Sequence, residues 1–248
     1  MKKTLILMFA AGVFLCGRAS AQQVLGNGRF EKWSDLSGTP PHGQALGWGG
    51  STPVQAPALA GSGFSAVLKG ETMIYQLLNA APAFPADFQI SQTIVVMEGD
   101  GWQQPLWITL QETGPDGEAA ERHDWIQLRV AGSGGVFSIE ANTGAAGSAR
   151  WQRIAQEVVD ASVYDQEKNK FTTKKPFVIT ISRDPSSDSY TVSYRKIGEA
   201  PVEIPNITHF AQPSNGSGKL AFVSYSGVGS DTQYLAAVGG VEIVTKKP

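Results

Sequence analysis

The sequence predicts an all-β fold, an antiparallel two-sheet β-sandwich, and three observations predict it. β-Branched and aromatic residues come in short alternating runs. Gly and Pro, 28 and 14 of 248 residues, are scattered between those runs as turn formers. Amphipathic helical periodicity is almost absent. Ten or more strands in one cysteine-free stretch point to two packed sheets.

The first element precedes the sandwich. Lys2 and Lys3 open a basic segment, an apolar run follows from Leu5 to Cys16, and Ala19-Ser20-Ala21 closes it with small residues. Residues 1–21 therefore read as a cleavable secretory signal peptide, with the mature chain starting at Gln22. The run is about a dozen residues, short of the roughly twenty that cross a bilayer as a helix. Leu15 stands before Cys16 where a lipoprotein signal has a small residue, so soluble export is expected rather than a lipid anchor. The destination is the periplasm, the cell surface or the medium. Residues 22–248 are expected to form a single domain, with no transmembrane segment and no anchoring tail.

Removing the leader takes away the only cysteine, which leaves no disulfide and no cysteine-ligated metal. It also removes three basic residues, leaving 17 against 22 acidic ones, a formal charge of −5. An acidic balance of this kind argues against a nucleic-acid partner.

Ten strands follow in order: Met73–Leu78, Phe88–Met97, Leu106–Glu112, Trp125–Ala131, Val136–Ala141, Trp151–Val159, Phe177–Arg183, Tyr190–Lys196, Leu220–Ser226 and Val241–Thr245. Turn chemistry separates several of them, as in Gly114-Pro-Asp-Gly117, Gly132-Ser-Gly-Gly135, Asp184-Pro-Ser-Ser-Asp188 and Asn215-Gly-Ser-Gly218. The polar stretch Asp160–Lys170 reads as a turn or loop. Phe177, Tyr190, Tyr194, Phe222 and Tyr225 are assigned to core and cross-strand packing.

Two stretches carry a resemblance. Leu25-Gly-Asn-Gly-Arg-Phe-Glu-Lys-Trp33 with Gly47-Trp48 resembles the opening of jelly-roll carbohydrate-binding modules, and Val238-Gly-Gly-Val-Glu-Ile-Val244 stands where those modules end. Phe177–Asp184 with Ser189–Tyr194 resembles the central hairpin of concanavalin-A-like (laminin-G-like) sandwiches. The mature chain as a whole resembles exported bacterial proteins of this layout. The resemblance implies a concanavalin-A-like jelly roll, with a galactose-binding-like jelly roll as the alternative; length favours the former. It also implies that Trp33 and Trp48 cover one end of the sandwich. Acidic residues at the two chain ends of such modules can hold a structural calcium. Here Arg29 and Gly239-Gly240 replace acids while Glu31 remains, and no cofactor is expected.

Enzyme signatures are sparse. Glycoside hydrolysis needs two carboxylates flanking one cleft, and no Glu-x-Asp-x-Glu strand supplies them. The Arg-x-Glu-x-Arg strand of alginate-lyase-type jelly rolls is missing too. The acidic patch Asp116–Asp124 reads as a solvated hairpin tip, and His123-Asp124 as a surface polar pair. No Gly-x-Ser-x-Gly elbow occurs, and His42, His123 and His209 lack zinc-site spacing. A non-catalytic protein is expected, with a polysaccharide lyase or glycoside hydrolase as one alternative and an envelope assembly protein as another.

Alternation supplies the candidate site. Leu106, Ile108 and Leu110 point one way, and Trp107, Thr109 and Gln111 the other. Ile126, Leu128 and Val130 likewise face the core opposite Trp125, Gln127 and Arg129. A hairpin register with Gln111 beside Trp125 puts Trp107 beside Arg129. The next strand adds Ser138 and Glu140 to that face, and Trp102 is displayed from a loop as a rim contact. Indoles among amide, guanidinium and carboxylate groups suit a polysaccharide or glycan, with flat apolar platforms for ring faces and planar groups for hydroxyls. The competing expectation is structural: the tryptophans pack beneath a loop, with Arg129 stacked on Trp107. Trp151 sits where the alternation is ambiguous and is left unassigned.

Overall fold

Phe177, Ile179 and Ile181 are buried while their neighbours along the strand are half-buried, the period-two pattern that holds one face of a sheet against a core. The same logic organises the rest of the computed structural model. It describes residues 22–23, 25–39, 41–69, 72–78, 88–100, 106–113, 123–133, 136–142, 150–156, 164–165, 170–171, 176–183, 189–208, 219–226 and 235–245. The predicted leader with Cys16, Trp102 and His209 lie outside these residues.

Among the described residues, nineteen strands form two antiparallel sheets. The first runs from edge to edge through β17 (Val202–Thr208), β16 (Ser189–Lys196), β15 (Phe177–Arg183), β8 (Phe88–Asp100), β19 (Leu235–Thr245), β6 (Phe64–Lys69), β5 (Val54–Pro57), β3 (His42–Ala45) and β2 (Trp33–Ser37). The short β1 (Gln22–Gln23) pairs with β19, and β14 (Lys170–Phe171) bridges β8 and β13 (Tyr164–Asp165). The second sheet runs β12 (Trp151–Gln156), β11 (Val136–Asn142), β10 (His123–Ser133), β9 (Leu106–Thr113), β18 (Lys219–Ser226), β7 (Thr72–Leu77) and β4 (Gly49–Gly50). No helix among the described residues is long and apolar enough to cross a membrane.

One continuous core fills the space between the sheets. The first sheet contributes Leu68, Phe88, Ile90, Ile94, Phe177, Ile179, Ile181, Val192 and Ile243; the second contributes Ile74, Ile108, Leu128, Val130 and Ile139. Tyr190 joins them and Tyr194 packs against their rim, whereas the side chains of Phe222 and Tyr225 lie outside the described set. All ten predicted strands are present. The polar stretch assigned to a loop, Asp160–Lys170, instead includes β13 and the start of β14, which extend a ladder from the far end of β8.

The opening motif closes one end of the core. Asn27, at φ 51°, donates from its amide to the carbonyls of Lys32 and Leu46 (2.8 and 2.9 Å) and accepts from the Lys32 N–H. That clamp turns Phe30 inward to zero exposure, with Trp48 5.0 Å and Trp33 6.3 Å away between ring centroids. The Trp48 indole N–H donates to Asn27 O, and that of Trp33 to Phe30 O. Both indoles thus cover the end of the sandwich.

The C-terminal partner of this turn is a bulge in β19. Its register against β8 shifts between Gly239 and Glu242, Val241 N–H donates to Gly28 O (2.9 Å), and Arg29 pairs with Glu242 at 3.7 Å. The place where the resemblance would put acids therefore carries a guanidinium with its own carboxylate. Gly240 sits at φ 54°, a conformation unfavourable for side-chain-bearing residues, and a Cβ there would stand 3.1 Å from Thr93 Oγ1. Gly240→Ala is expected to lower stability by about 1 kcal/mol, read as a drop in the urea midpoint with an unchanged slope.

Candidate functional site

β10, β11 and β12 lie side by side in the second sheet and build part of its outer face. On β10, Leu128 and Val130 enter the core, which turns half-buried Gln127 and Arg129 to the outer side. On β11, Ile139 and Ala141 enter the core and leave Ser138, Glu140 and Asn142 outward. Ser138 and Asn142 are buried even so.

Register sets the neighbours. Arg129 stands opposite Glu140 on one side and Trp107 on the other, and Glu140 stands opposite Arg153. The Arg129 Nε and a terminal nitrogen both reach Glu140 Oε2, at 2.8 and 2.6 Å, with each side chain only 13% exposed. Arg153, far more exposed, approaches the other carboxylate oxygen at 3.8 Å. The Arg129 guanidinium lies 3.8 Å from the centre of the Trp151 ring, within cation–π range. One row along, Asn142 donates to Gln127 Oε1 (2.9 Å) and accepts from the Arg150 N–H (2.9 Å).

Arg129 is therefore fixed from two directions, by a charge-assisted bond in the sheet plane and by an indole face. The result is a planar cation held in place, with the Gln127–Asn142 amide row beside it. Among the described residues, no group of three or more His, Asp or Glu side chains is placed to hold a metal ion.

Of the residues singled out from sequence, Gln127, Arg129 and Glu140 come together here. Trp107 occupies the expected register position beside Arg129. Gln111 does not stand opposite Trp125: its partner is Asp124, because a bulge between Asp124 and Ile126 leaves Trp125 without a β9 partner. The bulge shifts the count by one residue, which strict alternation does not anticipate. The side chains of Trp107, Gln111 and Trp125 lie outside the described set. His123 and Asp124 begin β10, paired with Glu112 and Gln111.

Sequence reasoning missed Trp151, Asn142 and Arg153. The β11–β12 register slips between Ile139 and Glu140, so Arg153 and Ala155 flank an extra residue, Ile154. That slip is why the alternation around Trp151 looked ambiguous. The spacing Trp151-x-Arg153 before it still follows period two.

No protein-family model matches the sequence, and no curated protein does. Solved structures do resemble it. The carbohydrate esterase of Shiga toxin-encoding bacteriophage phi24B has a TM-score of 0.54 at 9% identity, over 92% of this chain and 100% of that one. The marine PL-14 alginate lyase from Aplysia kurodai has 0.50 at 12%, over 74% and 84%. A GH43 protein from Bacillus licheniformis has 0.51 at 7%, over 89% of this chain but 39% of that one. At these identities the likeness is one of fold: a jelly-roll β-sandwich.

Proposed function

We propose that this chain is an exported, non-catalytic carbohydrate-binding protein that takes a glycan on the outer face of its second sheet. The observation that carries the reading is the Arg129 guanidinium held between Glu140 and the Trp151 ring, with the Gln127–Asn142 amide pair alongside. Planar donors and acceptors beside aromatic surface suit the hydroxyls and apolar faces of sugar rings. Trp107, one strand away in the same row, is taken in this reading to extend the aromatic surface.

The test is a diverse glycan array probed with residues 22–248, with and without calcium. Binding to a defined glycan class is expected, with Gln127→Ala and Trp107→Ala each weakening it about tenfold while the proteins stay folded. A blank array overturns the proposal. Release of reducing or unsaturated ends from any polysaccharide overturns the non-catalytic part. A second reading, a structural or envelope-assembly role, draws on the mutual pairing of Arg129 and Glu140 at low exposure. It predicts that Trp151→Ala destabilises the fold with no glycan binding in the parent protein.

A further inference from the structure

A pocket of about 480 Å³ opens at the edge of the second sheet. β4 covers β7 only opposite Ile74 and Tyr75, so the β7 backbone beyond Tyr75 runs on with no strand beside it on that side among the described residues. Trp48, Tyr75 and Gln76 line the space with the backbones of Gly26, Gly47 and Gly49.

Two of these glycines are required by the fold. Gly47 sits at φ 84°, and a Cβ on Gly49 would stand 2.6 Å from the Tyr75 ring. Gly26 is different. Its backbone is clamped by the Gln76 amide, which accepts from Gly26 N–H at 2.6 Å and donates to the carbonyls of Gly26 and Gly47 at 2.9 and 2.8 Å. A Cβ on Gly26 would meet nothing nearer than Gln76 Oε1 at 3.9 Å, an ordinary contact, and its φ lies outside the left-handed region. Among the described residues neither backbone geometry nor packing calls for glycine there; what its missing side chain leaves is open space beside Tyr75.

We propose that this pocket binds a single neutral sugar ring, at a site separate from the outer sheet face. β7 and β10 are three strand spacings apart, roughly 14 Å, so the two sites do not overlap. Among the described residues no charged side chain lines the pocket, and none offsets the desolvation of an ionic ligand. A wholly apolar ligand would give no hydrogen bond to the β7 edge beyond Tyr75, which no described strand covers. A pyranose meets both demands, with a C–H face for the half-buried Tyr75 ring and hydroxyls for the exposed backbone of Gly26 and Gly47. The volume lies within the ~300–1,000 Å³ span of small-molecule sites.

The test titrates methyl glycosides of glucose, galactose, mannose and N-acetylglucosamine into isotope-labelled protein expressed from the full sequence. Saturable shifts are expected at the Gly26, Gly47 and Gly49 amides for at least one of them. Gly26→Leu should weaken that binding about tenfold or more without moving the urea midpoint, and Trp151→Ala should leave it unchanged. Should Gly26→Leu unfold, Tyr75→Leu supplies the same comparison, and the amide map of the parent protein stands by itself. Absence of saturable shifts, shifts confined to β10–β12, or undiminished affinity in a folded Gly26→Leu variant overturns the proposal. Failure of polysaccharide binding at the sheet face leaves this result untouched, which keeps the two outcomes distinct.

Discussion

Replacing Phe30 with alanine is expected to cost about 4 kcal/mol of folding stability, within the range for deleting a buried phenylalanine ring. The ring has no exposed surface and lies between the core and two indoles. Its removal leaves a cavity that cannot close, because what surrounds it is pinned. Asn27 holds the turn through three hydrogen bonds, Trp48 is tied to Asn27 O, and the Trp48 carbonyl accepts from Gln44 at 2.6 Å. Leu at position 30 restores part of the volume and should recover roughly half of the loss. Urea denaturation followed by tryptophan fluorescence reads both values. A cost below about 1 kcal/mol for the alanine variant would mean that the N-terminal turn is not an integral part of the core.

The second large effect is expected at Glu140. Glu140→Ala leaves the Arg129 guanidinium, 13% exposed, without the carboxylate that accepts its two short contacts, and about 3 kcal/mol of stability should go with it. Arg129→Ala should cost a similar amount, since Glu140 would then keep only the longer contact to Arg153. The double variant should be less destabilised than the two single losses together by about 2 kcal/mol. That coupling is the diagnostic quantity, because a cycle isolates the pair from the separate contribution of the Trp151 stack. Additivity within about 0.5 kcal/mol would mean that the pair contributes little beyond its packing.

How much of this was legible depended on how regular each strand is. β15 and β16 follow strict alternation, and the sequence pattern places them to within a residue. β19 was read only from Val241, yet it begins at Leu235. The run Ala236-Ala237-Val238-Gly239-Gly240 is poor in β-formers by composition. It is a strand because β8 and β6 pair with it from both sides and because small residues let the interior close over it, with Ala237 and Val238 fully buried. β2 and β5 are four or five residues long and exposed or half-buried, and β3 buries only the small residues Gly43 and Ala45, so no hydrophobic period marks them; pairing with their neighbours makes them strands.

The candidate site divides along the same line. Gln127, Arg129 and Glu140 were readable because β10 and β11 are in register where they pair. Trp151 was not, because a register slip one turn of the pleat away spoils the period. The Trp125 bulge hid the true partner of Gln111 in the same way. Bulges are tertiary events: they follow from how a twisted sheet closes over its core, and a local window does not contain that information.

The pairing of β1 with β19 has a practical consequence. Gln22 lies opposite Thr245 and Gln23 opposite Val244, and the Ile243 N–H donates to the Gln23 side chain at 2.8 Å. The first and last described strands are thus neighbours in one ladder, their outer ends side by side. A linker of a few residues would join them without crossing either sheet face, and a new opening cut at the exposed turn around Gly198 would leave every strand intact. Such a circularly rearranged chain would keep both proposed binding sites in place while presenting its ends at a different point on the molecule, a route to immobilising the protein in either orientation.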